Sequence, residues 1–212
     1  MQTILVANPK GGSGKTTLAT NIAGFLAGKR QRVVLSDEDP QQSSAHWLSR
    51  RPALFPKIHG KPADKRELKE IDPQWLVVDS PAGIDGAALR VELRRADALV
   101  VPVSPSVFDM AATARFLGSI AESKEVKEGV LPVAIVAMRV DTRTKSAAEL
   151  DQFLEASPFP VVTHLRDTQT YVYCARDGAS VFDLPRSRGE QDWEQWRPLT
   201  RWLGKHATAR TS

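Results

Sequence analysis

The chain has 212 residues, of which 42% are hydrophobic and 25% are charged, and its formal net charge is +4. This composition is typical of a globular protein with its own core, and we expect residues 1–212 to form a single domain. The one cysteine, Cys174, excludes an internal disulfide framework and a zinc site built from several thiolates.

The sequence predicts a cytoplasmic protein that does not enter a membrane. No stretch of 18 consecutive apolar residues is present, so no membrane-spanning helix is predicted. The first residues lead directly into a glycine-rich loop, which leaves no room for a signal peptide. The small positive charge permits contact with nucleic acid, although such an excess more often only keeps a surface soluble.

Six short apolar runs predict buried strands. Several are continuous runs of Val, Ile and Leu, which are typical of parallel strands that helices cover on both faces. The runs span residues 3–7, 32–35, 75–78, 98–103, 133–138 and 160–162.

Helical stretches separate these runs. Leu18, Ile22, Phe25 and Leu26 have helical spacing, and Gly28 is placed to end that helix. Further helices are predicted at residues 43–50, 86–95, 108–122 and 146–154, and a loop with a short polar helix at 51–72. The alternation predicts an α/β fold with a mostly parallel sheet flanked by helices on both faces. In such folds ligands bind beyond the carboxyl ends of the strands.

A glycine-rich loop, KGGSGKTT at residues 10–17, follows the first strand and opens the first helix. Glycines let successive N–H groups point at phosphate oxygens, and the start of the helix adds the positive end of its dipole. Lys15 is expected to reach the β- and γ-phosphates, and Thr16 to hold Mg²⁺. The predicted nucleotide-binding residues of this loop are Gly11, Gly12, Ser13, Gly14, Lys15, Thr16 and Thr17. The alternative is a glycine turn that binds nothing.

This loop departs from the ordinary phosphate-loop pattern, because Pro9 replaces the first glycine and Lys10 adds a second lysine. The segment NPKGGSGKTT resembles the deviant Walker A motif of the ParA/MinD ATPases. It is similar to the small ParA proteins of the ParF type, which lack an N-terminal domain. The resemblance implies a P-loop NTPase in which Lys10 reaches across a dimer to the partner's nucleotide. The alternative for Lys10 is a solvated loop charge.

Two acidic segments resemble further motifs of that family. The segment SDEDPQQS at residues 36–43 resembles the switch I motif, which implies that Asp39 acts on the attacking water and Asp37 holds the magnesium shell. From the residues alone Asp37 and Asp39 are not separable, and such a pair can also cap the next helix. The segment WLVVDSPAG at residues 75–83 is similar to Walker B and switch II, which places Asp79 facing the metal and lets Gly83 turn toward the γ-phosphate.

Two later segments extend the resemblance. Residues 101–112 resemble the family's P-x-x-P-S-x-x-D stretch, which lines the dimer face near the nucleotide. Residues 168–183, with D-G-x-S-V-F, resemble the late segment of the ParF type. By position in the fold, residues 138–139 and 165–167 are expected to flank the base, so Arg139 and Arg166 are candidate nucleotide ligands. Met-Arg replaces the Asn-Arg of many members, so the preference for adenine rests on the resemblance and on the absence of N-K-x-D.

The C-terminal segment carries an apolar stripe beside basic residues. A basic amphipathic helix with tryptophan can lie on a membrane. Pro198 is expected to interrupt this helix, and Asp192 and Glu194 add negative charge, which favours packing on the sheet. The stripe comprises Trp193, Trp196, Leu199, Trp202 and Leu203. Basic residues that could bind phosphate backbones without reading sequence are Arg186, Arg188, Arg197, Arg201, Lys205 and Arg210.

The resemblance implies an ATPase that uses ATP and Mg²⁺ and has a weak intrinsic rate. Its ATP-bound homodimer would bind DNA nonspecifically at the nucleoid, and a ParB-like centromere-binding or cargo adaptor protein would stimulate hydrolysis to segregate a plasmid or chromosome. The alternatives are a MinD-like membrane-cycling ATPase and an ATPase that positions protein clusters or microcompartments. A dethiobiotin-synthetase-like ligase and a scaffold that does not hydrolyse nucleotide are more distant alternatives.

Overall fold

The computed structural model of the chain describes residues 1–105 and 107–207. Six parallel strands form one sheet in the order β2-β3-β1-β4-β5-β6. The strands are β1 Gln2–Val6, β2 Val33–Asp37, β3 Trp75–Asp79, β4 Ala98–Val103, β5 Val133–Val140 and β6 Val161–Arg166. Each predicted strand is present. The edge strand β6 runs beyond its predicted end because Thr163 and Leu165 are buried while His164 is exposed, so that its second half alternates.

A helix occurs at each predicted helical stretch, and two more occur at Lys124–Lys127 and Gln169–Arg176. The helices are α1 Lys15–Gly28, α2 Ser43–Ser49, α3 Lys65–Ile71, α4 Gly86–Arg95, α5 Val107–Ala121, α6 Lys124–Lys127, α7 Lys145–Glu155, α8 Gln169–Arg176 and α9 Arg186–His206. Side-chain caps fix several starts: the Asp64 carboxylate accepts the N–H groups of Arg66 and Glu67 at the start of α3, and the Thr144 hydroxyl accepts that of Ala147 in α7.

Helices cover both faces of the sheet. One core is formed by α1, α2, α8 and α9 and includes Leu18, Ile22 and Trp196. The core on the opposite face is formed by α4, α5 and α7 and includes Ile120 and Leu150. The expected doubly covered parallel sheet is therefore confirmed.

A buried ion pair holds the segment of residues 168–183 to the loop after α2. The Arg51 guanidinium donates to both oxygens of Asp183, at 2.9 and 3.0 Å, and both side chains are at most 5% exposed. At Gly178 a Cβ would lie 2.5 Å from the backbone nitrogen of Arg51. The close approach of the Arg51 backbone explains Gly178 of the D-G-x-S-V-F pattern, and the buried ion pair explains Asp183, the residue that directly follows the pattern.

The last helix corrects one expectation. Residues 186–206 form one helix with Pro198 inside it, so the proline does not interrupt the helix. Trp196, Leu199 and Leu203 are buried against the sheet. The stability gained from this packing outweighs the backbone hydrogen bond that the Glu194 carbonyl loses, because proline has no N–H to donate to it. The apolar stripe of the C-terminal segment thus packs into the core, as expected. Among the described residues, no helix has both the length and the apolar character needed to cross a bilayer.

Candidate nucleotide-binding site

The glycine-rich loop between β1 and α1 has a backbone that requires glycine. Gly12 and Gly14 have φ angles of 73° and 101°, in the left-handed region. A Cβ at Gly14 would also lie 2.9 Å from the Cε of Met138. Gly14 immediately precedes α1 and contributes no side-chain cap, so the first-turn N–H groups of α1 remain available to an anion.

Lys15 places a buried cation in this loop. Its side-chain Nζ donates to the carbonyl of Lys10 at 2.9 Å, and the residue is only 7% exposed. Burial lowers the pKa of Lys15, while the carboxylates of Asp79 and Asp39 act in the opposite direction. Because this ammonium group is hydrogen-bonded to a neutral carbonyl, it is suited to bind a phosphate oxygen instead.

The backbone around Lys10 is ordered by its neighbours. The Lys10 N–H donates to Asn8 Oδ1 at 2.9 Å, and the Lys10 carbonyl accepts the Ser13 hydroxyl at 3.1 Å. Ser13 therefore uses its side chain to close the loop. The reach of the Lys10 side chain into a partner stays a prediction.

Asp79, at the end of β3, faces the start of α1. The Thr16 hydroxyl donates to Asp79 Oδ2 at 2.8 Å. In the described chain, Asp79 Oδ1, Ser44 Oγ and Ser80 Oγ are buried without a hydrogen-bond partner. Burial, with a contribution from the Asp37 carboxylate, raises the pKa of Asp79 to about 6, against the hydrogen bond from Thr16.

These oxygen atoms fit a magnesium ion. Mg²⁺ binds through one or two carboxylates and hydroxyls, completed by substrate phosphates and water. The orphaned Asp79 oxygen beside the Thr16 hydroxyl provides such a partial shell. Within the described residues, no three His, Cys, Asp or Glu side chains gather into a metal site of their own. Thr16 and Asp79 would hold the ion together with oxygen atoms of a bound nucleotide.

The structure separates the two acids that follow β2. Asp37 accepts the N–H groups of Ala45 and Asp39, at 2.9 and 3.0 Å, so it caps the first turn of α2. Asp39 accepts the N–H groups of Gln41 and Ala82, both at 2.9 Å. Asp37 thus has the capping role that the sequence allows for either acid, and its place in a magnesium shell stays a prediction. Asp39 bridges the loop after β2 to the loop after β3.

A cleft of about 300 Å³ brings most of the predicted residues together. The Gly83 N–H donates to the Pro9 carbonyl at 2.7 Å, which joins the loop after β3 to the glycine-rich loop. The cleft is lined by Gly11, Gly12, Gly14, Lys15, Thr16, Thr17, Asp39, Gln41, Ser43, Ala82 and Arg139.

Arg166 lies apart from this set. Its guanidinium pairs with the buried Asp192 of α9, Nε to Oδ1 at 2.8 Å, and also donates to Gln191. The pairing holds β6 against α9 and turns the charge toward the helix. A contact between Arg166 and the nucleotide stays a prediction.

Two residues shape the loop in ways that the sequence did not predict. Asn8 is buried, donates from Nδ2 to the Pro102 carbonyl at 2.7 Å, and holds the Lys10 N–H. The sequence feature that could have indicated this role is a polar side chain directly after an apolar strand. Met138 packs under Gly14, which the sequence does not reveal.

The stretch predicted to line the dimer face is described in part. The Ser104 hydroxyl donates to the Ser13 carbonyl at 3.2 Å, so the first half of this stretch lies against the loop. Ser106 and the side chains of residues 107–109 lie outside the described part, as does the predicted DNA contact Arg210.

Comparison with known proteins identifies the family. The family described as "CobQ/CobB/MinD/ParA nucleotide binding domain" matches residues 4–181. The chain belongs to this family. The match confirms the family resemblance stated from the motifs, and the six-stranded parallel sheet flanked by helices matches the family's fold.

Relatives of this ParA/MinD-family chain are similar over most of its length. "Maintenance of carboxysome distribution protein A" of Halothiobacillus neapolitanus is 32% identical, over 90% of this chain and 91% of the relative. "Chromosome-partitioning ATPase Soj" of Thermus thermophilus is 29% identical, over 72% and 75%. A solved ATP complex of a Cyanothece McdA variant has a TM-score of 0.73 at 17% identity, over 100% and 98%, which shows the shared fold.

Proposed function

We propose that this chain is a magnesium-dependent ATPase that positions a protein assembly, such as a microcompartment, inside the cell. One observation carries this choice of cargo: the similarity to carboxysome distribution proteins extends over 90% of the chain at 32% identity. A second such protein, from Gloeobacter kilaueensis, is 33% identical over 84% of the chain. This cargo is one of the alternatives left open by the motifs.

The site supports ATP as the substrate through charge and shape. Lys15 would exchange its bond to the Lys10 carbonyl for a phosphate oxygen, and the N–H groups of the loop and of the first turn of α1 would surround the remaining oxygens. Thr16 and Asp79 would hold Mg²⁺, which neutralises charge on the phosphates during transfer. Lys10 would add a second cation from the partner subunit.

Asp39 is placed to orient the attacking water. Both of its oxygens already accept backbone N–H groups, one from Ala82 in the loop after β3. A shift of that loop therefore moves the carboxylate. A partner protein that acts on this loop would change the rate, which accounts for a weak intrinsic activity that a cargo adaptor stimulates.

The proposed cycle uses an ATP-bound homodimer in the cytoplasm. The dimer would bind nucleoid DNA without sequence preference, and an adaptor on the cargo would release it by stimulating hydrolysis. Plasmid or chromosome segregation has weaker support, since the Soj relative of Thermus thermophilus matches 72% of the chain at 29% identity. Membrane cycling through α9 is disfavoured, because its Trp196, Leu199 and Leu203 are buried in the core.

Two experiments test the proposal. Phosphate release from Mg·ATP should be slow for the wild type and absent for Asp39→Ala, with ATP binding retained in that variant; an unaltered rate would refute the assigned water-orienting role. In a host that lacks the gene, the protein microcompartments should lie in clusters, as measured by electron microscopy. Plasmid and chromosome inheritance should stay normal. Loss of a replicon with evenly spaced microcompartments would instead favour partition.

A further inference from the structure

Arg139 has an unusual backbone conformation next to the phosphate loop. Its φ angle is 54°, in the left-handed region, which residues with a Cβ rarely adopt. The pairing of β5 with β6 also shifts register between Ala137 and Val140. Such conformations persist where the surroundings fix them, and they cluster at functional sites.

At Arg139 the side chains of β5 stop alternating regularly between the two cores. Val136 and Met138 belong to the core on the α1 side, and Ala137 and Val140 to the opposite core. Regular alternation would place residue 140 on the α1 side. Arg139 is therefore the extra residue of a β-bulge, and bulges re-aim single side chains beside active sites.

Both neighbours of Arg139 are anchored. Met138 is 3% exposed and packs against Gly14, so a Cβ there would lie 2.9 Å from its Cε. Val140 is 5% exposed in the other core. Because the two flanking side chains are buried on opposite faces, the bulge has little freedom, and Arg139 is held at the cleft.

Arg139 places a cation at the cleft. Arg139 is exposed and lines the cleft that also holds Lys15, Thr16 and Asp39. Within residues 1–105 and 107–207 we find no hydrogen bond or ion pair to its guanidinium. By contrast, Arg143 makes two bonds to the Asp141 carboxylate, and Arg166 is paired with Asp192. A planar guanidinium facing a phosphate loop matches the paired oxygens of a phosphate.

We infer that Arg139 binds the phosphate chain of the nucleotide in its own subunit, and not the base. This inference rests on the proposed function, because it takes a nucleoside triphosphate as the ligand of the cleft. Position in the fold alone suggests that Arg139 flanks the base. The bulge instead aims it at the cleft that contains the loop's glycines and Asp39.

Inorganic tripolyphosphate distinguishes the two contacts, since it has the phosphate chain and no base. Affinities of Mg²⁺ complexes of ATP and of tripolyphosphate should be measured by calorimetry for wild type, Arg139→Gly and Arg139→Lys. Glycine adopts the left-handed conformation readily, so Arg139→Gly keeps the bulge. Loss of a charge-assisted contact should weaken both ligands roughly ten- to hundredfold. Arg139→Lys should recover part of the loss, and Arg143→Ala, at an exposed and already paired arginine, should change neither affinity.

Three results would overturn the inference. If Arg139→Gly weakens ATP but not tripolyphosphate, the residue contacts the base or the ribose. If neither affinity changes, the guanidinium makes no contact with the ligand. If the wild type binds neither ligand, the proposed function itself fails, and the two failures are thereby distinguished.

Discussion

Asp79 is buried at the end of β3, and one of its carboxylate oxygens has no partner in the described chain. Burial raises the pKa of Asp79 from the usual 3.8 to about 6. The folded chain therefore binds this proton more tightly than the unfolded chain. Its contribution to stability is present below pH 4 and is lost as the pH rises from about 4 to about 6.

Replacement of Asp79 should show how much its buried charge destabilises the folded chain at neutral pH. In metal-free buffer at pH 7.5, Asp79→Asn should raise the free energy of unfolding by roughly 2–3 kcal/mol, since the pKa difference corresponds to about that energy and asparagine carries no charge. The amide oxygen can still accept the Thr16 hydroxyl. Urea melts at pH 7.5 and near pH 4 check the sign, because the gain should vanish at the lower pH. A destabilised variant at pH 7.5 would contradict the buried-charge argument.

At the same scale, the sequence predicted which residues form the site better than it predicted their individual roles. The glycines, Lys15, Thr16 and Asp79 follow a local pattern, and the structure brings them together. Asp37 and Asp39 differ only through the N–H groups opposite them, from Ala45 and Ala82. Those partners come from a later helix and a distant loop, so spacing along the chain does not reveal them.

At the scale of elements, apolar runs located every strand, and the main error concerned Pro198 in α9. Local propensity argues for a break there. The helix persists because packing on both sides of the proline holds it: the Gln195 carbonyl accepts the Thr163 hydroxyl, and Leu199 is buried. Tertiary contacts of this kind leave no local signal.

The proline should nevertheless cost stability. Pro198→Ala restores a donor to the Glu194 carbonyl and removes a ring clash, so it should raise the free energy of unfolding by roughly 1–3 kcal/mol in a urea melt. Lys205→Ala, at an exposed position near the end of the same helix, serves as the control and should shift the midpoint by much less. An unchanged midpoint for Pro198→Ala would mean that α9 is already adapted to the proline.

At the scale of the whole molecule, ion pairs redistribute the basic surface. On α9, Arg186 pairs with Glu190 and Arg197 with Glu194, so two of the predicted phosphate-binding residues are locally neutralised. On α4, Arg90 and Arg94 are exposed, and among the described residues they form no ion pair. On α9, Arg188, Arg201 and Lys205 are likewise exposed and form no ion pair in the described chain. We therefore propose α4 as a second candidate surface for a duplex, in addition to these residues of α9.

A charge-matched pair of variants tests this surface. Arg90→Glu with Arg94→Glu should weaken the binding of the ATP-bound protein to duplexes of any sequence, and should reduce the salt slope by about two. Arg186→Glu with Arg197→Glu makes the same change in net charge on α9 and should have a smaller effect. Fluorescence anisotropy at several salt concentrations measures both. A larger loss from the α9 pair would return the contact to the tail.

Lys10 and Lys15 separate the properties of one subunit from those of the dimer. Lys15 is buried in its own loop, so Lys15→Ala should abolish ATP binding. If Lys10 serves only the partner's nucleotide, Lys10→Ala should bind ATP normally and lose ATP-dependent dimerisation roughly ten- to hundredfold, as expected for a lost charge-assisted contact. Calorimetry and light scattering with Mg·ATP measure the two properties. A Lys10→Ala dimer as tight as wild type would make Lys10 a loop charge and remove the main support for a shared active site.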